Sequence, residues 1–343
     1  MWRETTKHEH DMKIWKEELE DFIPGKVLDF HTHIFCKGVI PEGTSYCCAG
    51  QDIEKYDMDD LKRDLSEIYP ERETYAVCFG MPYEEYDREL NDHYVGAQCD
   101  RKRFFPFRLI DPRYDTQANV KEDIDRYSFL GFKPYLNYVK KRDRNDIEIH
   151  EMLPDWAMEI AEEHGLIIML HIPRKDRLAD PINQKQIIEI CNDYPNAKIV
   201  LAHIGRAYYL KGIVGYLDTL KSLPNLWYDL AMLNNWEVME YLFRTVSAEK
   251  ILYATDLPIA IAPGKSVEIN DQYTYVTPKP WQLSISAEHT TLVFTSFLYE
   301  ELRAIKKAVE RSGVNKAFTQ KIFFDNGITL LRDTMRIHET PKE

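Results

Sequence analysis

The chain has 343 residues, of which 44% are hydrophobic and 29% are charged, a composition typical of a folded globular protein. Its formal net charge of −13 argues against binding to nucleic acid or to an anionic membrane surface, because both are themselves negatively charged. Residues 1–22 mix acidic and basic side chains and lack the apolar centre of a secretory signal. No run of 18 apolar residues predicts a membrane-spanning helix.

The cysteines are scattered along the chain, and no two of them form a C-x-x-C pair. In a long chain without a secretory signal, this distribution predicts free thiols in a reducing compartment. We therefore expect a cytoplasmic protein. The six positions are Cys36, Cys47, Cys48, Cys78, Cys99 and Cys191.

Apolar strands and amphipathic helices alternate along the chain after a first predicted helix, Met12–Phe22, which ends at Pro24 and Gly25. The predicted strands are Val27–His33, Thr74–Phe79, Phe104–Ile110, Leu130–Tyr135, Leu166–His171, Lys198–His203, Asn225–Leu230 and Lys250–Asp256. The helices after them are predicted at Asp57–Ile68, Glu84–Lys102, Gln117–Tyr127, Ile149–His164, Pro181–Tyr194, Tyr208–Lys221, Trp236–Thr245 and Leu298–Arg311.

Eight such strands, several of them continuous apolar runs, indicate a parallel sheet covered by helices on both faces. The number of repeats predicts an α/β fold of the (β/α)8 TIM-barrel type. A doubly wound open sheet is the alternative, but no G-x-G-x-x-G motif follows the first strand. We predict a single domain over residues 1–343, with a barrel core at about 27–332 and a long insertion, 257–298, after the eighth strand.

The first strand ends in His31 and His33, which share a face because side chains alternate along a strand. Two imidazoles on one face can be two ligands of one metal ion. The same spacing occurs at His8 and His10, but that pair lies in a charged segment without an apolar run and predicts a solvated tail.

Polar residues recur at the C-terminal ends of other predicted strands: Lys133 on the fourth, His171 on the fifth, His203 on the sixth and Asp256 on the eighth. In a barrel these ends converge on one face, where barrel enzymes keep their active sites. The topology therefore predicts that residues distant in sequence form one cluster with the two histidines of the first strand.

With these motifs the chain resembles the amidohydrolase superfamily of metal-dependent barrels. More closely, it resembles the amidohydrolase-2 branch, which includes aminocarboxymuconate-semialdehyde decarboxylase, related aromatic-acid decarboxylases and sugar or pyrone lactonases. The resemblance covers about 27–332. The matching segments are DFHTH at 29–33, GFK at 131–133, MLH at 169–171, LAH at 201–203, ATD at 254–256 and KIFFDNGITLL at 321–331, where Asn326 occupies the branch's asparagine position.

The resemblance implies that one divalent metal, most often zinc, is held by four side chains, and that His203 transfers a proton without binding the metal. The implied ligands are His31, His33, His171 and Asp256. In the broader superfamily His203 can instead bind a second metal, with a carboxylated lysine at the position of Lys133 as the bridge. As an ammonium ion, Lys133 could equally bind a substrate carboxylate.

A metal of this kind lowers the pKa of its bound water and polarises a carbonyl group. With Asp256 to take the proton from water and His203 to protonate the leaving group, we expect hydrolysis of an amide, lactone or ester. The alternative is non-oxidative decarboxylation, in which His203 protonates the α-carbon. Several decarboxylases of the branch have Glu-x-His on the first strand, whereas this chain has His-x-His, which favours hydrolysis. The second alternative is a barrel that binds a ligand without catalysis.

Side chains just beyond the strand ends can line the pocket of a small-molecule substrate. The predicted substrate-binding residues are Arg108, Lys133, Tyr135, Arg174 and Arg206, with Asn137 and Asp229 also at strand ends. Three arginines and a lysine near one rim suit an anionic or polyhydroxylated substrate. The insertion is a lid candidate because it follows the eighth strand and carries Tyr273, Tyr275 and Trp281. By analogy with the branch, we also expect a homodimer.

Overall fold

The computed structural model of the protein describes residues 9–48, 51–140, 143–281, 284–286 and 292–339. Eight strands, β1 to β8, pair in the order in which they occur in the chain, and every pairing between neighbours is parallel. They are Lys26–His33, Glu73–Phe79, Phe104–Ile110, Gly131–Pro134, Ile167–Leu170, Lys198–Leu201, Leu226–Asp229 and Ile251–Leu252.

Backbone hydrogen bonds join the segment after β8 to β1 and so bring the two ends of the sheet together. The amide of Phe30 donates to the carbonyl of Tyr253 over 3.0 Å, and the amide of His33 donates to that of Leu257 over 2.7 Å. The prediction of a (β/α)8 barrel is therefore confirmed. Strand β8 is shorter than the predicted Lys250–Asp256, because the chain leaves β7 after two paired residues and continues along β1 instead.

Helices surround the barrel in the segments between strands. The α-helices are Glu9–Ile14, Met58–Ile68, Arg88–Gln98, Gln117–Tyr127, Ile149–Met152, Asp155–His164, Pro181–Asp193, Trp236–Thr245, Phe297–Ser312, Lys316–Gln320 and Asn326–Glu339. The segment His203–Arg206 is a left-handed turn, because its residues have φ angles between +52° and +63°. Two π-helical turns, Trp15–Leu19 and Lys321–Asp325, extend the first helix and join the last two. Short 3-10 turns lie at Leu136–Tyr138, Arg144–Asp146, Arg177–Ala179, Leu210–Gly212, Ala248–Lys250 and Ile259–Ile261. Among the described residues, no helix is both long and apolar enough to cross a bilayer.

Side-chain caps begin several of these helices where the sequence predicts a boundary. The carboxylate of Asp57 accepts from the amide of Asp60 over 3.0 Å, and the hydroxyl of Thr116 accepts from the amide of Asn119 over 3.3 Å. Such caps satisfy amide groups that have no partner inside the helix.

Alternating strand residues fill the barrel interior and pack against the helices outside. Phe30, Phe79 and Phe107 belong to the interior cluster, and the ring of Phe107 contacts Phe30 and Phe79 at centroid distances of 6.2 and 6.4 Å. Their neighbours along the strands face the helices, which explains the continuous apolar runs in the sequence.

Two predicted helices differ from the structure in kind or continuity, and a third, Glu84–Lys102, is shortened to Arg88–Gln98. The segment Tyr208–Lys221 was predicted to be helical, but it forms the 3-10 turn Leu210–Gly212 followed by turns through 222. Gly215 has a φ of +83°, a left-handed conformation that is incompatible with an α-helix. The predicted helix 149–164 is divided at Pro154, whose ring removes a backbone donor and excludes a continuous helix.

The insertion after β8 forms a small sheet of its own. Its strands are Lys265–Ile269, Gln272–Thr277 and Ser284–Ser286. The first two are antiparallel and the last pairs in parallel with the second. Tyr275 and Trp281 stack at a centroid distance of 5.0 Å, and Tyr275 also contacts Phe297 of the following helix at 5.2 Å. The insertion is therefore packed on the barrel rather than detached from it.

Asn326 fixes the start of the last helix against β8. Its side-chain amide donates to the carbonyls of Ala248 and Ile251 over 2.7 and 2.8 Å. We expect Asn326→Ala to reduce the free energy of unfolding by about 1–3 kcal/mol, because two buried carbonyls lose their donor. Asn326→Asp should be at least as destabilising, since it places a carboxylate against both carbonyls.

Urea denaturation followed by circular dichroism measures this effect. Gln98→Ala, at an exposed position, is the control and should change the unfolding free energy by no more than about 0.5 kcal/mol. Unfolding curves of Asn326→Ala that coincide with the wild type would contradict the anchoring role.

Candidate metal centre

Strand β1 delivers His31 and His33 to the C-terminal end of the barrel, with ring centroids 5.6 Å apart. Each ring is held from behind through its Nδ1 atom. In His31 this atom lies 2.9 Å from Oδ2 of Asp229, and in His33 it lies 2.8 Å from the carbonyl oxygen of Gly80. Both side chains are therefore oriented by fixed acceptors before any ligand binds.

His203 and Asp256 occupy strained backbone positions at the ends of β6 and β8. Their φ angles are +55° and +71°, which is uncommon for residues other than glycine. The amide of His203 donates to Oδ1 of Asp229 over 2.6 Å, and the amide of Asp256 donates to the carbonyl of His31 over 2.8 Å. These hydrogen bonds hold both residues in the strained conformation, which turns their side chains toward β1.

The hydrogen bonds define which ring nitrogen carries a proton in the neutral histidines. The Nδ1 atoms of His31, His33 and His203 face a carboxylate or a carbonyl, the last being Ala231 at 2.9 Å. Because these partners only accept, each Nδ1 carries the proton and each Nε2 has a free lone pair. Burial, and then the charge of Lys133, hold the pKa of His31 well below its ordinary value, so this ring is neutral.

The free Nε2 atoms converge on the carboxylate of Asp256. Oδ1 of Asp256 lies 3.1 Å from Nε2 of His33 and 3.5 Å from Nε2 of His31. Two lone pairs at such distances repel unless a proton or a cation lies between them. Donor atoms of His31, His203 and Asp256 also lie within 4.8 Å of one another. Imidazole nitrogens and one carboxylate are a donor set that suits zinc or a similar ion, so these residues fit a divalent metal.

Asp256 shares its charge balance with the same cluster. Burial alone would raise the pKa of this carboxyl, whereas positive charge on the rings of His31, His33 and His203 lowers the pKa below its usual range. Positive charge between these rings and the carboxylate, carried by a proton or by a cation, therefore keeps Asp256 ionised.

Lys133 lies under this cluster, fully buried on β4, with Nζ 3.1 Å from Nε2 of His31. Burial lowers the pKa of Lys133 to about 8, although Asp229 and Asp256 oppose the shift. A lysine with this pKa is partly neutral near physiological pH. It can act as an ammonium beside the carboxylates or as an amine that reacts with carbon dioxide.

His171 lies beside the cluster at the end of β5. Its ring packs edge-on against His203 at a centroid distance of 5.4 Å and faces Tyr135 at 4.5 Å. Within the described chain, its buried Nδ1 atom has no hydrogen-bond partner. Burial, and then Arg206, lower its pKa well below the ordinary value, so the ring is neutral and can offer a nitrogen to a cation.

The cluster forms the floor of a cavity of about 680 Å³. Of the predicted residues, His171, His203, Asp256, Tyr135, Asn137, Arg174 and Arg206 line this cavity. His33 and Asp256 line a smaller adjoining pocket. Tyr273, Tyr275 and Trp281 bring the insertion to the cavity wall. The volume of this cavity is within the range of sites that bind small molecules.

Arg108 is not among the residues that line this cavity. It is 2% exposed, and its guanidinium forms two hydrogen bonds with Asp115, of 2.9 and 3.0 Å, and one of 2.8 Å with Asp123. Phe105 and Phe107 of the same strand face the barrel interior, so alternation turns Arg108 outward to the helices. Asp229 is also away from the cavity lining, because it lies fully buried behind His31.

Several polar groups of the site were not predicted from the sequence. Arg144, Lys175, Arg177 and Tyr208 line the cavity, and the carbonyls of Gly80 and Ala231 orient the histidines. The basic run of residues 174–177 directly after β5 was a signal that could have identified Lys175 and Arg177. The two carbonyls have no sequence signal, because any residue supplies one.

The sequence model of the amidohydrolase family matches residues 57–278, which is more than half of the chain. This match confirms the resemblance to the amidohydrolase-2 branch.

Solved structures with the same fold include an amidohydrolase 2 from Bifidobacterium longum subsp. infantis, at 14% identity and a TM-score of 0.54, over 90% of this chain and 99% of that one. The 5-carboxyvanillate decarboxylase LigW from Sphingomonas paucimobilis matches at 11% identity and a TM-score of 0.53, over 90% and 99% of the chains. An amidohydrolase from Burkholderia multivorans with bound zinc matches at 10% identity and a TM-score of 0.55, over 89% and 99%. At these identities the similarity establishes the fold alone.

One curated protein matches over part of the chain. It is the Dictyostelium discoideum protein named probable ATP-dependent RNA helicase ddx17, which is 24% identical over 132 residues. The matched region covers 35% of this chain and only 17% of that protein. No activity is transferred from so partial a match.

Asp229 should control metal affinity without touching the metal. We expect Asp229→Asn to weaken zinc binding about 10- to 100-fold, because an amide in place of the carboxylate no longer fixes the proton of His31 on Nδ1. Competition with a chromogenic chelator measures the affinity. Asp92→Asn, a buried carboxylate that accepts from the amide of Leu109, is the matched control and should keep wild-type affinity. Equal zinc affinities in a folded Asp229→Asn variant and in the wild type would refute this role.

Proposed function

The chain belongs to the amidohydrolase family, and we propose that it is a metal-dependent hydrolase of an amide, lactone or ester bond in a small anionic substrate. We further propose that one divalent ion, preferably zinc, binds to His31, His33, His171 and Asp256. The observation that carries the proposal is the convergence of the Nε2 atoms of His31 and His33 on the carboxylate of Asp256 at the floor of the cavity. A cytoplasmic location and a homodimer remain predictions.

When bound, such an ion acidifies a water molecule and polarises the bond to be cleaved. Asp256 is placed to receive the proton from that water. Its side chain is 18% exposed, whereas that of His31 is 1% exposed, so this carboxylate faces the cavity. His203 lies on the opposite side of the same carboxylate, with Nε2 3.9 Å from Oδ2 of Asp256.

His203 is suited to deliver a proton to the leaving group. Burial lowers its pKa, so the resting ring is neutral and its Nε2 can accept a proton and then release it. The hydrogen bond from Nδ1 to the carbonyl of Ala231 prevents the ring from turning during this transfer. The donor set also includes His203, so a site with a second metal is the alternative arrangement, with carboxylated Lys133 as the bridge.

Decarboxylation of a small carboxylic acid is the second candidate function. It is favoured by the buried amino group of Lys133 beside His31, which supplies positive charge next to the cluster, and by the arginines of the cavity wall. The fold is also that of LigW, a 5-carboxyvanillate decarboxylase. The His-x-His pair on β1 and the carboxylate of Asp256, which is partly open to the cavity, favour hydrolysis instead. A ligand-binding barrel without turnover is the remaining alternative.

Elemental analysis of the purified protein tests the metal proposal. We expect about one equivalent per chain in the wild type and much less in Asp256→Asn, which keeps its size but loses the charged ligand. About two equivalents of metal per chain would contradict the single-metal site and support the two-metal arrangement. Absence of metal in the wild type, even after incubation with zinc or manganese, would refute the proposal.

A substrate panel distinguishes the two reactions. Anionic lactones, esters and amides are assayed by acid release, and aromatic carboxylic acids by release of carbon dioxide. We expect hydrolysis to be lost by at least about 100-fold in Asp256→Asn and in His203→Asn, because each removes a proton-transfer group. Carbon dioxide release without hydrolysis would select decarboxylation. Ligand binding without either reaction would select the binding barrel.

A further inference from the structure

The cavity wall carries more positive charge than its own carboxylates can neutralise. Among the residues that the structure describes, two carboxylates, Glu85 and Asp256, line the cavity, and Asp256 belongs to the metal cluster. The cationic residues of the lining are Arg144, Arg174, Lys175, Arg177 and Arg206. Arg174 is neutralised by Asp180 at 2.9 Å. In the described parts of the chain, no salt bridge involves the other four.

Arg177 is held rigidly at the wall although it lacks a carboxylate partner there. Its guanidinium lies over the ring of Tyr273 at 4.7 Å and near that of Tyr208 at 5.4 Å. One Nη donates to the hydroxyl of Tyr273 over 3.2 Å. Its Nε atom is buried and, within the described residues, has no hydrogen-bond acceptor. An unsatisfied donor on an ordered arginine is costly unless a ligand supplies the acceptor.

Arg206 lines the same cavity as Arg177. One of its Nη atoms donates to the carbonyl of Ile172 over 3.1 Å, which fixes the side chain. Burial raises the pKa of the Tyr208 hydroxyl well above its ordinary value, and the charges of both Arg206 and Arg177 oppose that shift. The two guanidiniums therefore act on the same tyrosine.

We propose that Arg177 and Arg206 form a second anion-binding site on the cavity wall, separate from the metal, and that the protein selects substrates with two anionic groups. This inference rests on the proposed function, because it takes the reacting part of the substrate to bind at the metal cluster. A guanidinium binds carboxylate or phosphate through paired hydrogen bonds, so either group satisfies the site. The rings of Tyr208 and Tyr273 provide a flat wall for a planar substrate body.

Binding of matched probes by calorimetry tests this selection in the zinc-loaded protein. The pairs are benzoate with terephthalate, and biphenyl-4-carboxylate with biphenyl-4,4′-dicarboxylate, so that length is tested together with charge. We expect the second anion to strengthen binding by about tenfold or more in at least one pair. Comparison with 4-carboxyphenyl phosphate distinguishes a carboxylate site from a phosphate site.

Variants test whether Arg177 on the cavity wall is responsible for the tighter binding of dianions. Arg177→Met should abolish the gain from the second anion and leave monoanion binding unchanged, and Arg177→Lys should retain part of it. Arg244→Met, an exposed arginine paired with Glu240, is the control and should keep the full gain. Equal affinities within both pairs in the wild type, or an equal loss for monoanions and dianions in Arg177→Met, would overturn the inference.

The same binding measurements on the protein as purified, together with its metal content and its activity on the panel, separate this inference from the proposed function. A dianion preference that depends on Arg177 in protein that neither retains zinc nor hydrolyses the panel would support the second site and refute the hydrolase proposal. Zinc binding and hydrolysis without a dianion preference would do the opposite.

Discussion

The geometry of the site depends on one buried carboxylate, that of Asp229. One of its oxygens accepts from the ring of His31 and the other from the backbone amide of His203, so a single side chain ties β1 to β6 from the end of β7. It is completely buried, where its charge would be costly without partners. Burial raises its pKa, whereas His203 and Lys133 favour the charged form. The cost of burying this charge is therefore offset by hydrogen bonds to His31 and His203, which it orients, and by the charge of Lys133.

This arrangement follows from parallel strands in a closed ring. Residues separated by more than 200 positions, such as His31 and Asp256, become neighbours because every strand delivers its last residues to one end of the barrel. The hydrogen bonds between β1 and the segment after β8 close the barrel and so bring His31 and Asp256 together. Strain at His203 and Asp256 is maintained by these contacts, and it turns side chains inward that regular strands would direct elsewhere.

Much of the fold could be predicted from the sequence because apolar runs and helix boundaries are local signals. The strand Phe104–Ile110 and the helices Gln117–Tyr127 and Trp236–Thr245 have their predicted bounds. The prediction of a helix after Tyr208 was wrong. The apolar residues there have helical spacing, but Gly215 has a left-handed backbone conformation. The residues at strand ends could be predicted as a cluster, since topology rather than atomic detail brings them together.

The individual contacts of the site could not be predicted in the same way. Arg108 was assigned to the substrate by its position after an apolar run, yet strand alternation directs it to Asp115 and Asp123. Arg177 lies in a basic segment that could have been noticed, but its contact with Tyr273, almost a hundred residues later, has no such signal. Such pairings depend on tertiary packing, which composition and spacing do not encode. The predicted tail at His8 and His10 includes residues outside those that the structure describes.

The insertion after β8 has a consequence for how this protein can diverge. Its aromatic side chains form part of the cavity wall, while the cluster at the floor is built entirely from barrel residues. The insertion packs within itself and on Phe297, so substitutions in its strands leave the hydrogen bonds behind the histidines intact. The aromatic part of the cavity wall and the donor cluster at its floor thus reside on different stretches of polypeptide. Substitutions in a short segment can therefore reshape the aromatic wall, while the donor cluster below keeps its geometry.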